Sequence, residues 1–444
     1  MTRTMTRTTM RRALAAACMA VLMPAPALAD WTIVHAGRLM AVPGQALLDQ
    51  ASVIVRDDRV VAVREGFASA ADLDNPGGLA VTVVDLKDKV VLPGLIDAHV
   101  HLDSVPGETR IEELRRPDSY YAVLATANAK TTLKAGFTTV RDVGSRPDTT
   151  HAVRDAIADG HIAGPRVLSS GPSISIVGGH GDESHLSRQV LSAFPAERTG
   201  VCSGVAECRR RVREASKYGA DLIKITATGG VLSQQARGFG QHFADDELAA
   251  IMETAHFLGL KVAAHAHGAG GVDAALRAGV DSIEHGTYLT DASVKLFKRS
   301  GAYLVPTLAA FTGIREGLDK GYYTPAVQAK VRAILDVIGQ GLAKAHRAGV
   351  NIAFGTDAGV FPHGRNAEEF ALMVEYGGMS PEATIVSATG SAAELLGVAD
   401  DVGTLQAGKY ADLIAVAGNP LEDVTELERV AFVMKGGRVV VGGR

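Results

Sequence analysis

The chain has 444 residues, 47% hydrophobic and 21% charged, a composition that can bury a large core and excludes a disordered or fibrous protein. Lysine plus arginine is 45 and aspartate plus glutamate 49, so the net charge is −4. That balance excludes a polycationic nucleic-acid binder and gives no electrostatic draw to a membrane surface. At about 100–200 residues per domain the length admits two or three domains, or one large barrel with an appendage.

Residues 1–29 read as a secretory signal peptide. Arg3, Arg7, Arg11 and Arg12 precede an apolar stretch from Ala13 to Met23, and Ala27-Leu28-Ala29 offers small residues where a signal peptidase reads them. The stretch is too short to cross a bilayer of about 30 Å as a helix. Ala15, three residues before Cys18, is not the large aliphatic of a lipidation signal. Cleavage near Ala29 implies a periplasmic or secreted protein, and the loss of four arginines moves the net charge from −4 to −8. Cys202 and Cys208 stay with the mature chain in an oxidising setting, where both a disulfide and two free thiols are open outcomes. No other apolar run is long enough to span a membrane, so none is expected as a partner.

From residue 30 to 91 short β-type runs alternate with Gly, Pro and Asp, as in Ser52–Val55, Arg59–Val63 and Val81–Val84. Residues 399–444 return to that style, with Ala411–Val416, Val430–Met434 and Arg438–Val441, the last two separated by a Gly436-Gly437 hairpin signal. The two ends are expected to build one small β-sandwich. Between them, residues 92–398 alternate strand and helix patterns. Eight strands are expected at Leu95–His101, Thr138–Val143, Arg166–Ser170, Leu222–Thr226, Lys261–His265, Ser282–His285, Tyr303–Pro306 and Asn351–Thr356. Helices are expected at Val205–Tyr218, Asp246–Phe257 and Val327–Ala348, among others. This pattern predicts an α/β fold, a (β/α)₈ TIM barrel. No glycine-rich nucleotide motif competes with it; Gly178-Gly179-His180-Gly181 lacks the spacing.

The chemistry gathers at strand ends. Asp97-Ala98-His99-Val100-His101 puts two imidazoles on one strand face, suited to a divalent metal. Taken alone, the pair also fits two satisfied structural histidines. Lys224 interrupts an apolar strand where an unpaired ammonium is costly. It reads either as a salt-bridged core lysine or as a lysine carboxylated by CO₂ that bridges two metals. His265, His285 and Asp357 end the fifth, sixth and eighth strands, so all six residues lie where barrel enzymes place their sites. His267, on the face of His265 and nearer the mouth, is a candidate for substrate contact or oxyanion stabilisation, or for orienting a ligand. His180, in the loop after the third strand, is a candidate for substrate binding. A loop-structural role is expected for His363.

The chain resembles the metal-dependent amidohydrolase superfamily through Leu92-Pro93-Gly94-Leu95-Ile96-Asp97-Ala98-His99-Val100-His101 and Gly403-Thr404-Leu405-Gln406-Ala407-Gly408-Lys409-Tyr410-Ala411-Asp412-Leu413. Ile223-Lys224-Ile225, His265-Ala266-His267-Gly268, Glu284-His285-Gly286 and Gly355-Thr356-Asp357 are similar to its branch of Xaa-Pro dipeptidases (prolidases), related carboxypeptidases and ochratoxin-hydrolysing amidohydrolases. The resemblance implies two divalent ions, zinc foremost. His99, His101 and Asp357 would hold the more buried ion, His265 and His285 the more exposed one, and N6-carboxylated Lys224 would bridge them. It also implies hydroxide attack on the amide of a dipeptide or N-acyl amino acid, with Asp357 as general base and then general acid. Homo-oligomers, octamers among them, are implied too. A mononuclear cyclic-amide hydrolase or deaminase is the second enzymatic reading, which Lys224 disfavours; an exported binding protein on a barrel scaffold is the non-enzymatic one.

Overall fold

The structure is a computed structural model and describes residues 31–75, 78–182, 187–193, 200–233 and 238–442. The expected signal peptide, residues 1–29, lies outside the described residues. Valine-rich runs at the two ends form one seven-stranded sheet. It contains β1 (Trp31–Leu39), β2 (Leu48–Arg56), β3 (Arg59–Glu65), β4 (Val81–Pro93), β13 (Leu413–Val416), β14 (Phe432–Lys435) and β15 (Arg438–Val441). Their order is β15-β14-β13-β4-β1-β2-β3. β1 runs antiparallel to β2 and parallel to β4, and β4 pairs antiparallel with β13. The sheet folds on itself: Arg59 bridges Tyr410, and Val34, Val53, Val60, Leu413, Phe432 and Met434 share one apolar core.

β4 leads through Gly94 straight into the barrel. Its strands are β5 (Leu95–Val100), β6 (Phe137–Asp142), β7 (Arg166–Ser169), β8 (Leu222–Thr226), β9 (Lys261–Ala266), β10 (Ser282–His285), β11 (Tyr303–Val305) and β12 (Asn351–Ile352). Pairing is parallel within β5-β6-β7 and within β8 to β12. The two arcs close through an Ile174–Ile225 bridge on one side and a Val100–Ala358 bridge on the other. Helices follow the strands on the outside, as parallel crossovers require.

Two elements differ from their sequence patterns. The eighth strand is regular only over Asn351–Ile352, not to Thr356. Beyond it backbone bonds to β5 continue, with the Ala98 amide donating to Phe354 O (2.9 Å) and the Asp357 amide to His99 O (2.8 Å). The Phe354 amide instead turns to Ser387 O (2.9 Å) in a π-helical turn at Ser387–Ser391 and the Thr356 amide to Asp97 Oδ1 (3.1 Å), so the pairing is irregular. The helix expected over Val327–Ala348 is two helices, Pro325–Leu335 and Gln340–Arg347. Gly339 breaks it, left-handed at φ 72°, in a place where a Cβ would lie 2.3 Å from Tyr376 Cβ.

Candidate metal and hydrolase site

All six expected ligands meet at the C-terminal mouth of the barrel. β5 and β9 place His99 and His265 by strand alternation, and His101 follows β5. Lys224 lies within β8, its Nζ without a hydrogen bond or ion pair among the described residues although the residue is only 4% exposed. His285 and Asp357 stand at strand ends with left-handed backbones, φ 71° and 62°. Such conformations are costly for non-glycine residues and concentrate at functional sites.

The imidazoles are oriented from behind. His99 Nδ1 lies 2.8 Å from Glu284 Oε2, His101 Nδ1 donates to Gly144 O (2.7 Å), and His285 Nδ1 lies 2.7 Å from Thr307 Oγ1. Each leaves its Nε2 for the centre. His99 Nε2 is buried with no hydrogen bond among the described residues and lies 3.5 Å from Asp357 Oδ1, and His101 Nε2 lies 3.2 Å from the same oxygen. His265 is turned the other way: its Nε2 faces Gly229 O at 3.4 Å, and its Nδ1 lies 3.0 Å from His285 Nε2. An outer acceptor on one ring nitrogen and a bare inner nitrogen is how metal-binding histidines are held.

Two groups bring their ligand atoms within 4.8 Å of one another: His99, His285 and Asp357, and His265, His267 and His285. His285 belongs to both, and His267 joins the second. Either group has the donors for a zinc-like ion. His267 Nδ1 is engaged by Thr287 Oγ1 at 2.8 Å, and its ring stacks on His285 with centroids 4.8 Å apart. The His180 ring lies over His265, centroids 4.3 Å apart, with its Nδ1 buried and without a hydrogen bond among the described residues. Gly230 makes the room for it, since a Cβ there would sit 2.1 Å from His180 Cε1. His363 stands behind the site, 2.9 Å from Thr132 Oγ1 and 3.1 Å from the His101 carbonyl, which is a structural role.

Electrostatics follow from burial. It pulls the Lys224 ammonium down to about 8, helped by Arg141 and opposed by Glu284 and Asp357. Burial first and then neighbouring His267 and Lys224 lower His180 to about 3, and burial lowers His267 to about 3, so both rings are neutral. Burial works against ionised Asp357, but His99 and His101 outweigh it and hold the carboxylate well below its usual range.

Sequence reasoning missed the supports. Arg141 donates to Ala98 O (2.5 Å), Ser282 Oγ (3.1 Å) and Glu284 Oε1 (2.9 Å), all fully inside the barrel. Asp97 accepts hydrogen bonds from the His99 and Thr356 amides, Thr356 Oγ1 and Asn366 Nδ2. The signal was present: Arg141-Asp142 and Glu284 are charges inside runs that are otherwise strand core.

The site opens into a cavity of about 820 Å³. The histidines, Lys224 and Asp357 form its floor, and Phe311, Ile314, Val327, Ile334 and Val360 form an apolar wall. A barrel with candidate metal ligands at its strand ends and an adjoining cavity has the form of a metalloenzyme. The chain belongs to the amidohydrolase family, which residues 90–440 match. The ochratoxinase of Aspergillus niger is 35% identical over 433 residues, spanning 93% of this chain and 87% of its own. A crystal structure of a Xaa-Pro dipeptidase with methionine bound in the active site has a TM-score of 0.86 at 39% identity, covering 93% of this chain and 100% of that one. For the A. niger ochratoxinase structure the TM-score is 0.81 at 31% identity, with 94% and 96% covered. The protein is a hydrolase of amide bonds.

Proposed function

We propose that the protein is a binuclear zinc amidohydrolase cleaving dipeptides or N-acyl and N-aroyl amino acids at the amide that joins them to the C-terminal amino acid. The observation that carries this reading is Lys224. It is a buried lysine with no hydrogen bond or ion pair among the described residues, surrounded by imidazoles already oriented by outer partners. Lowered to about 8, its amine is partly neutral near pH 7 and can add to CO₂, releasing a proton and forming a carbamate. Its two oxygens would bridge the ions. His99, His101 and Asp357 would complete the inner site, and His265 and His285 the outer one. The ions, when bound, supply Lewis-acid polarisation of the scissile carbonyl and a water acidic enough to attack near neutral pH.

Asp357 accepts the proton of the attacking water at its carboxylate and returns it to the leaving nitrogen. His267, neutral and with Nδ1 engaged by Thr287, presents Nε2 to the developing oxyanion. His180 contacts substrate from the loop after β7. The apolar wall of Phe311, Ile314, Val327 and Ile334 suits a bulky apolar or aromatic group, which is compatible with ochratoxin A cleaved to ochratoxin alpha and phenylalanine. An exported protein is in keeping with the Cys202–Cys208 disulfide, as such bonds persist in oxidising compartments. No helix among the described residues is long and apolar enough to cross a membrane. We further propose a homo-oligomer and a division into a terminal domain of residues 30–91 and 399–444 around a barrel of 92–398.

The test is a hydrolysis panel on the zinc-loaded protein with Xaa-Pro, Xaa-Phe and Xaa-Arg dipeptides, N-acyl amino acids and ochratoxin A. Cleavage within this set is expected. Turnover of cyclic ureides or aminopurines in its place would overturn the reading.

A further inference from the structure

We propose that Glu369 is a positioning residue that sets His285 and the apolar cavity wall through the first turn of the helix Leu308–Asp319. The inference rests on His285 serving the outer metal position, as proposed above.

Glu369 lies on the helix Glu368–Glu375 and is completely buried, without an ion pair among the described residues. The Leu308 amide donates to its Oε1 at 2.8 Å and the Ala309 amide to its Oε2 at 2.5 Å. These are the first two amides of the helix Leu308–Asp319, which have no partner within it. Each carboxylate oxygen thus holds one donor, and the helix start cannot rotate without breaking a buried hydrogen bond. A fully buried carboxyl group with no cation beside it among the described residues is, when ionised, a costly way to cap a helix. Burial first, and then the charges of Asp97 and Asp357, push its pKa well above the usual range, against the two amides. Cheaper caps serve elsewhere in this chain, such as Thr290 accepting from Ser293 N.

The residue just before that helix shows what the anchor accomplishes. Thr307 is left-handed at φ 53°, a region that β-branched residues avoid. It persists only where the surroundings impose it. Here the anchored amides hold it on one side, and its own amide donates to Gly355 O (3.1 Å) on the other. The forced turn aims Thr307 Oγ1 at His285 Nδ1, 2.7 Å away, leaving His285 Nε2 facing His265. The same helix carries Phe311 and Ile314 into the cavity wall. One carboxylate therefore fixes both a ligand's orientation and the substrate surface beside it.

The experiment uses the full chain in three forms, Glu369→Gln, Thr307→Val and Thr307→Ser, beside the wild type. Zinc affinity is measured by competition with a chromophoric chelator on protein shown folded by circular dichroism. Glu369→Gln keeps the shape and one acceptor oxygen. Thr307→Val replaces the hydroxyl by a methyl, and Thr307→Ser keeps the hydroxyl while losing the methyl. Glu369→Gln and Thr307→Val should each weaken the second zinc equivalent about 10–100-fold, the usual cost of losing a ligand's outer partner, and leave the first within about twofold. Thr307→Ser should bind as wild type, and a fourth form combining Glu369→Gln with Thr307→Val should be no weaker than the poorer single one. A simple helix cap would lower the melting temperature without moving this affinity. Should Glu369→Gln fail to fold, an unaltered second zinc equivalent in Thr307→Val still overturns the inference, because the anchor acts on His285 through that hydroxyl. Two unaltered zinc equivalents in the folded variants, beside a wild type that also binds two, overturn this inference alone. A wild type that binds one overturns the binuclear reading and this inference with it.

Discussion

The barrel mouth and the interior of the terminal sheet are both buried, and they are built on opposite rules. Inside the sheet, Val34, Val53, Leu413, Phe432 and Met434 pack an apolar layer, and the left-handed non-glycine residues of that region, Gln50 and Asp57, are exposed. At the mouth, His285, Thr307 and Asp357 are left-handed and buried among imidazoles, Lys224 and the Glu284–Arg141 pair. Apolar burial stabilises the first region directly. The second retains buried polar atoms that make no hydrogen bond among the described residues, such as His99 Nε2, and backbone strain; both oppose folding and suit a site prepared for a ligand. Stability and chemistry therefore reside in different parts of this chain, and substitutions should separate them.

The largest effect is expected at the mouth. Asp357→Asn should lower kcat about 10³-fold, within the usual range for loss of a general base. Its melting temperature should stay near that of the wild type, because asparagine tolerates the left-handed backbone. Near-normal turnover would remove Asp357 from the proton path. In the sheet the outcome should invert. Phe432→Ala should cost about 3–5 kcal/mol of stability in denaturant unfolding and leave kcat of the folded enzyme within about twofold. A large kcat loss with intact stability would show that the two regions are not separable.

The smallest effect is a pH slope. Burial opposes ionised Glu284, but Arg141 and His99 outweigh it and lower the carboxyl from 4.5 to about 2. Between those values the unfolded chain binds a proton that the folded state does not. The contribution of this group is complete above pH 4.5 and is lost as pH falls toward 2. Glu284→Gln should flatten the acid limb of the stability curve, and parallel acid limbs would contradict the assignment.

The same contrast explains what could be read from the sequence. Alternation and short apolar runs follow local sterics, so β8 and β10 fall at the expected residues and the terminal strands pair as one sheet. The strand-end histidines, Lys224 and Asp357 were legible because polar groups are rare in such runs. What lay hidden depends on distant partners. Glu369 is 62 residues from Thr307, and its role exists only once two helices pack. Glu284 meets Arg141 across the barrel, 143 residues away. The break at Gly339 depends on Tyr376, which helical periodicity does not see.

The central claim is a binuclear centre bridged by carboxylated Lys224. It is tested most directly by metal analysis of the protein after zinc loading with bicarbonate, gel-filtered and compared with Lys224→Met. Two zinc ions per wild-type chain, and a loss of bound zinc in the variant, are expected. One zinc per wild-type chain, unchanged by Lys224→Met, would contradict the account.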